Sequence, residues 1–125
     1  MVKHILLVDD SVTARSQLRD VLKEEGYVVH EAENGYMALE IFKKESIDLV
    51  LTDLHMPILN GVGLLTSIRR LAENANVPVF VITADAEKTV KVQLRSLKIK
   101  AWVHKPHNNT NLLKGIKQIL GHEPT

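Results

Sequence analysis

Three short runs of Val, Ile and Leu constrain the fold more than any other feature of the sequence. They read HILLV (4–8), DLVLT (48–52) and VPVFVIT (77–83), and each is nearly continuous in apolar residues. Such runs are typical of parallel strands covered on both faces, whereas a strand with one wet face alternates apolar and polar residues. Two weaker candidates, YVVHE (27–31) and AWVH (101–104), complete a set of five predicted strands.

Segments with helical spacing follow each of these runs. Five βα units in a row predict an α/β fold, a doubly wound (βα)5 domain whose five-stranded parallel sheet carries helices on both faces. At 125 residues the chain fits one domain, residues 1–125. The apolar positions that mark the five helices are Leu18, Val21 and Leu22; Ala38, Leu39 and Phe42; Leu64, Leu65, Ile68 and Leu71; Val90, Leu94 and Leu97; and Leu112, Leu113, Ile116, Ile119 and Leu120.

Composition and charge exclude several classes of protein. The chain has no cysteine, which excludes disulfides and thiolate chemistry. The N-terminal apolar run is too short for a signal peptide or a membrane span, so we expect a cytoplasmic protein without membrane contact. Net charge is +1, but residues 1–60 hold 11 acids and 6 bases, whereas residues 86–120 hold 8 bases and one acid. This asymmetry predicts two functional surfaces rather than one nucleic-acid footprint.

Polar residues stand where the predicted strands end. Asp9 and Asp10 follow the first strand, Asp53 follows the third, Thr83 closes the fourth, and Lys105 follows the fifth. Ligands of an open parallel sheet bind beyond the carboxyl ends of the strands, at the point where the strand order reverses. We therefore expect these side chains to converge on one edge of the sheet.

The residue types in this set fit phosphoryl transfer. Clustered carboxylates repel one another, and a hard divalent cation such as Mg²⁺ relieves that repulsion through oxygen ligands. An aspartate can act as the nucleophile and form an acyl phosphate. A lysine and a hydroxyl can donate to the phosphoryl oxygens. Together these groups meet the usual requirements of phosphoryl transfer.

The motifs VDDS, LTDLHMPILNG, VITADA and WVHKP resemble those of the receiver domains of two-component response regulators, over essentially the whole chain. The resemblance implies the flavodoxin-like strand order 2-1-3-4-5, of which a chemotaxis regulator is a known example. It also implies that Asp53 is the phosphoacceptor, that Lys105 pairs with the phosphoryl oxygens and that Thr83 is the switch hydroxyl.

The same resemblance implies a Mg²⁺ site and a second switch residue. Asp10 would bind the ion directly, Asp9 through water and His55 through its backbone carbonyl, and Asp53 is also among the expected metal-binding residues. Trp102 stands where the family usually has Tyr, Phe or His, as a ring that rotates inward on activation. Because Trp is bulkier, both a rotating ring and a ring fixed at the surface stay open.

Other positions allow both a functional and a structural interpretation. His55 and Asp85 are candidates for setting the lifetime of the phosphorylated state, although His55 also fits an exposed loop and Asp85 a helix cap.

Gly63 in the first turn of the third helix costs about 1 kcal/mol relative to Ala, so we expect that helix to start late. Basic residues at helical spacing fit a solvated face or a partner surface: Lys88, Lys91, Arg95, Lys98, Lys114 and Lys117.

The resemblance implies a regulatory protein rather than an enzyme. We expect a stand-alone, chemotaxis-type receiver that takes a phosphoryl group from a phosphohistidine on a sensor histidine kinase or phosphotransfer protein. No output domain is expected, so the signal would pass to a downstream target protein by binding. Nucleic acid is not expected as a partner. The alternatives are a binding module that is never phosphorylated, or an aspartyl-nucleophile phosphatase, which would want an acid where His55 stands.

Overall fold

Strands and helices alternate along the chain in the computed structural model, which describes residues 2–55, 58–71, 76–84, 97–105 and 108–121. The segment expected to form the predicted fourth helix lies outside these residues, apart from its end at Leu97. The described strands are β1 (His4–Val8), β2 (Val28–Ala32), β3 (Leu49–Thr52), β4 (Val79–Thr83) and β5 (Ala101–His104). The described helices are α1 (Val12–Glu24), α2 (Gly35–Lys44), α3 (Gly61–Arg70) and α4 (Asn109–Leu120), of which α4 is the predicted fifth helix.

The five strands form one parallel sheet in the order β2-β1-β3-β4-β5. This arrangement confirms the predicted flavodoxin-like order. The predicted bounds of β1 and β5 agree with the structure, and those of the other strands differ by one or two residues. The strand order reverses between β1 and β3, so the crevice beyond the ends of these two strands is the expected ligand position.

Both faces of the sheet are covered, which explains the continuous apolar runs. Along β1, Leu6 and Val8 belong to a core cluster with Phe42 of α2 and Ile68 of α3. Their neighbours Ile5 and Leu7 belong to a second cluster, formed with apolar residues of α1 and α4. Successive side chains of a strand point to opposite faces, so both sets of β1 residues are buried. No helix in the described ranges combines the length and apolarity needed to cross a membrane.

Side-chain caps fix where the helices begin. The N-cap residues are Ser11, Asn34, Asn60 and Asn108, and each accepts a hydrogen bond from a backbone N–H of the first turn. The expected late start of α3 is wrong, because the Asn60 side chain holds the Gly63 N–H at 3.0 Å and the helix begins at Gly61. In α4, Ile119 remains 39% exposed, so it does not face the core as predicted.

Two glycines allow the loops at the carboxyl edge to pack closely. The Gly35 N–H donates to the Leu59 carbonyl at 3.0 Å, and a Cβ on Gly35 would overlap that carbonyl. A Cβ on Gly61 would lie 2.7 Å from the Asp53 carbonyl oxygen. The loops after β2 and β3 are therefore fastened to each other beside the crevice.

Candidate functional site

A single ammonium group joins two carboxylates at the crevice between β1 and β3. Lys105 Nζ lies 2.7 Å from Asp9 Oδ2 and 2.8 Å from Asp53 Oδ2. These residues follow β5, β1 and β3, so three strand ends that are distant in sequence meet at one point. The structure thus brings together three of the residues predicted from the strand ends.

Backbone N–H groups satisfy the other oxygen of each carboxylate. Asp53 Oδ1 accepts hydrogen bonds from the N–H of Leu54 at 2.6 Å and of His55 at 3.2 Å. Asp9 Oδ1 accepts one from the Ser11 N–H at 2.9 Å. Both acids are buried, with 7% of Asp9 and 9% of Asp53 exposed. Buried charges persist when they are paired and hydrogen-bonded, as these are.

Lys105 remains an ammonium ion in this setting. Burial by itself lowers the pKa of Lys105, but the hydrogen bonds to Asp53 and Asp9 outweigh it, so the pKa lies above its ordinary value. The lysine therefore carries its positive charge at every physiological pH. It can neutralise anionic oxygens at this edge of the sheet, whether they belong to a carboxylate or to a bound phosphoryl group.

Asp10 differs from its neighbour in exposure. Its side chain faces solvent and makes no hydrogen bond or ion pair with any residue in the described part of the chain. It is thus the carboxylate of the set whose oxygens are open to a new ligand.

The predicted switch residues lie on one face of the sheet. Thr83 is 1% exposed, and its carbonyl accepts a hydrogen bond from the Lys105 N–H at 3.0 Å. Trp102 is half-buried against the core cluster on the α2 and α3 face. Because Trp102 pairs with Val81 in the β4–β5 register, it stands diagonally across from Thr83. The Ala84 side chain is exposed beside them.

The donor set suits a hard cation, with one restriction. Asp9, Asp10, Asp53 and Lys105 together carry a formal charge of −2, and their acceptors are all oxygen. Across the described residues no group of three His, Cys, Asp or Glu side chains is arranged to hold a metal ion. Mg²⁺ commonly takes only one or two carboxylates and keeps several waters, so the residues fit this ion. The restriction is that Lys105 already occupies one oxygen of Asp9 and one of Asp53.

Of the other predicted residues, His55 adjoins this cluster through its backbone, and the described lysines belong to other parts of the fold. The His55 side chain is exposed, and its backbone N–H, as noted, contacts Asp53. Lys98 and Lys114 are exposed, whereas Lys117 forms an ion pair at 3.0 Å with Glu25, the C-cap residue of α1. The remaining predicted residues lie outside the described part of the chain: Asp85, Lys88, Lys91 and Arg95.

Two features of the structure were not predicted from the sequence. Arg15 of α1 donates to the Asp9 carbonyl oxygen at 2.6 Å and to Glu31 at 3.2 Å. At the opposite edge, the rings of His4 and His30 stack, with Nδ1 and Nε2 2.9 Å apart. The available signal for Arg15 was a basic residue near the start of a helix whose first turn has no acid, an arrangement that the helix dipole disfavours.

Comparison with known proteins identifies the family. The family model described as response regulator receiver domain matches residues 5–117. The chain belongs to this family. As a receiver domain it is a regulatory part of two-component signalling. Among curated relatives, chemotaxis protein CheY of Halobacterium salinarum is 34% identical over 124 residues, covering 96% of this chain and 98% of that protein.

Solved structures of receiver domains share the fold. Chemotaxis protein CheY4 of Vibrio cholerae superposes with a TM-score of 0.89 at 27% identity, covering 96% of this chain and all of that one. The receiver domain of sensor histidine kinase PA1611 from Pseudomonas aeruginosa gives a TM-score of 0.87 at 23% identity, covering 98% and 100%. That structure has a magnesium ion coordinated in its active-site cleft. At 23% identity, the similarity to the PA1611 receiver domain shows the fold alone.

Proposed function

We propose that this receiver domain accepts a phosphoryl group on Asp53 from a phosphohistidine and signals by binding another protein. The observation that carries the proposal is the contact of Lys105 with both Asp9 and Asp53 at the crevice where the strand order reverses. The ammonium group of Lys105 can neutralise the negative charge that a phosphoryl group would bring to the buried Asp53.

The reaction is a displacement at phosphorus. A carboxylate oxygen of Asp53 forms a bond to phosphorus while the bond from phosphorus to the donor imidazole breaks, and the imidazole leaves with the electron pair and takes up a proton. The N–H groups of Leu54 and His55 hold Oδ1 in place, as the structure has it. Lys105 would exchange its contact with Asp53 for contacts with phosphoryl oxygens.

Mg²⁺ belongs to the same proposal. Asp10 and Asp53 would hold it directly, Asp9 through water, and His55 through its backbone carbonyl. When bound, the ion neutralises negative charge on the transferring phosphoryl group. The exposure of Asp10 supports this assignment, because its carboxylate is open to an ion from solvent.

The output is proposed to be a population shift. A phosphoryl group adds about two negative charges. In this scheme Thr83 moves toward Asp53 and contacts these charges together with Lys105, and Trp102, its diagonal neighbour, responds. Shifting a two-state equilibrium from 1:99 to 99:1 takes about 5.5 kcal/mol, which several charge-assisted hydrogen bonds of about 1.5–3 kcal/mol each can supply.

The partners follow from this scheme. A sensor histidine kinase or a phosphotransfer protein would supply the phosphoryl group, and a downstream protein would bind the activated form. Lys98 and Lys114 are exposed and available for an acidic partner, and Asp85, Lys88, Lys91 and Arg95 retain the roles expected from the sequence. The cytoplasmic location and the self-catalysed loss of the phosphoryl group, modulated by His55, are part of the same proposal.

Incubation with acetyl phosphate and Mg²⁺ tests the function. We expect the intact mass to increase by one phosphoryl group, and we expect no increase for Asp53→Asn. Asp20→Asn, which removes an exposed acid of α1, is the matched control and should be modified like the wild type. An unmodified wild-type protein would favour a binding module, and turnover of simple phosphate monoesters would favour the phosphatase alternative.

A further inference from the structure

An arginine of α1 donates a hydrogen bond to the backbone between Asp9 and Asp10. The Arg15 guanidinium donates to the Asp9 carbonyl oxygen at 2.6 Å through one terminal nitrogen. Its Nε donates to Glu31 Oε1 of β2 at 3.2 Å, and the side chain is only 14% exposed. Arg19, one turn further along α1, binds the other oxygen of Glu31 at 3.3 Å. Glu31 thus orients Arg15, and Arg15 holds a peptide group at the site.

The peptide group that Arg15 holds is the one that joins Asp9 to Asp10. A peptide unit is planar, so fixing the direction of its carbonyl also fixes the direction of the next N–H and the position of the next Cα. Asp9 is additionally held at both carboxylate oxygens, by the Ser11 N–H and by Lys105. Asp10 has no such contacts among the described residues, so the peptide plane is what determines where its carboxylate starts.

The position of Arg15 in α1 is electrostatically unfavourable, and its hydrogen bond to the Asp9 carbonyl gives a reason for an arginine there. It is the fourth residue of α1, close to the positive end of the helix dipole, where a cation is disfavoured. It also places a positive charge near a site that is proposed to bind a cation. The ion pair with Glu31 offsets part of this unfavourable energy, and the hydrogen bond to the Asp9 carbonyl is the contact that connects Arg15 to the site.

We propose that Arg15 is a positioning residue for the divalent cation site, which it serves by fixing the peptide before Asp10. This inference rests on the proposed function, because it assumes that Asp10 binds Mg²⁺. Arg15 touches neither the ion nor the phosphoryl group in this scheme. It acts through the backbone, and Glu31 acts through Arg15.

Two explanations of Arg15, as a mere positive charge or as a positioning residue, predict opposite changes in the Mg²⁺ dissociation constant of Arg15→Gln. If Arg15 acted only through its charge, removing it would tighten Mg²⁺ binding, since one repelling cation is lost. If Arg15 positions Asp10, the dissociation constant should rise about tenfold, as is typical when the supporting contacts of a metal ligand are removed. Arg15→Lys keeps the charge but lacks the planar fork that reaches both partners, so its dissociation constant should lie between those of the wild type and Arg15→Gln.

The measurement is the Mg²⁺ dissociation constant, obtained by displacement of Mn²⁺ with free Mn²⁺ counted by electron paramagnetic resonance. Arg19→Gln is the matched control, because it removes the same charge from the same helix and also breaks a contact with Glu31, but leaves the Asp9 carbonyl untouched. It should bind Mg²⁺ like the wild type or slightly more tightly. Urea unfolding without metal establishes that each variant is folded, and Arg15→Lys carries the test if Arg15→Gln does not fold.

Equal or tighter binding by the folded Arg15 variants would overturn the inference while leaving the proposed function intact, provided that the wild type still gains a phosphoryl group on Asp53. Weaker binding by Arg19→Gln to the same extent would also overturn it. A wild type that binds neither ion removes the metal site from the proposed function and this inference with it.

Discussion

Replacement of Lys105 by methionine removes the cation that Asp9 and Asp53 share and keeps most of the apolar stem of the side chain. Two carboxylates, each within 2.8 Å of the same nitrogen, would then face each other with no counter-charge. We expect the variant to be less stable than the wild type in the absence of divalent cations. We also expect Mg²⁺ to restore much of the lost stability.

The size of the loss follows from the geometry. Two unit charges about 5 Å apart repel by roughly 3 kcal/mol at an effective dielectric constant of about 20. Charge-assisted hydrogen bonds contribute about 1.5–3 kcal/mol each, and Lys105 makes two of them. Because 24% of the lysine side chain is exposed, solvent screens part of this interaction. A loss of about 2–4 kcal/mol in the free energy of unfolding remains, which is large against the usual total of about 5–15 kcal/mol.

Urea unfolding followed by far-ultraviolet circular dichroism measures this loss, first in a chelator and then in saturating Mg²⁺. An ion present at 100 times its dissociation constant stabilises a folded protein by about 2.7 kcal/mol. The variant should gain more than the wild type, because no ammonium group competes for its carboxylates. Lys114→Met, at an exposed position of α4, is the matched control and should change stability by less than about 0.5 kcal/mol.

Two results would refute this reasoning. The first is a Lys105→Met protein that is as stable as the wild type without metal, which would mean that the ion pair contributes nothing to folding. The second is a gain from Mg²⁺ no larger than that of the wild type, which would mean that Lys105 and the ion do not share the same carboxylates.

Three further predictions concern the glycines, the switch and pH. Gly35→Ala should lower the free energy of unfolding by more than about 3 kcal/mol, because its Cβ meets the backbone of the neighbouring loop. Gly115→Ala in α4 should instead raise the free energy of unfolding by about 0.5–1 kcal/mol, because there the Cβ has room at 3.5 Å from a phenylalanine ring. Urea unfolding measures both changes. Thr83→Ala should still be modified by acetyl phosphate but should lose any accompanying change in Trp102 fluorescence; a wild-type change that persists in this variant would separate the ring from the hydroxyl. The pKa of Lys105 is raised above its ordinary value of 10.5, so at alkaline pH its stabilising contribution should decline as pH rises through the higher folded-state pKa; on that side of the profile the stability difference between wild type and Lys105→Met should begin to shrink above about pH 10.5.

The sheet was predictable because its signals are local. The runs that contain Ile5, Val50 and Val81 are apolar on both faces, and the structure buries all three completely. The bounds of the elements and some details were less predictable, because they depend on caps and neighbours. Gly63 has a poor helix propensity, yet the Asn60 cap starts α3 ahead of it, and Ile119 fits the helical period but is left partly exposed.

The cluster at the carboxyl edge was predictable for a topological reason. Once a parallel sheet is predicted, Asp9, Asp53 and Lys105 must end at the same edge, whatever the details of packing. The hydrogen bond from Arg15 to the Asp9 carbonyl was not predictable, because it depends on the distance between α1 and Glu31 of β2. The sequence marks Arg15 as unusual for the start of a helix, but it does not give the distance across to β2 that decides which atoms the guanidinium contacts.

The lysine bridge also links the function of this protein to the completeness of its folding. Lys105 and Asp9 are 96 residues apart in the chain, and the contact between them joins the loops that follow the first and the last strand in chain order. Contacts between distant segments form late, since the loop that they close costs the most entropy. If Asp53 accepts a phosphoryl group as proposed, a partly folded molecule or one still emerging from the ribosome would lack the Lys105 contact at that site, and it would not draw phosphoryl groups away from finished copies.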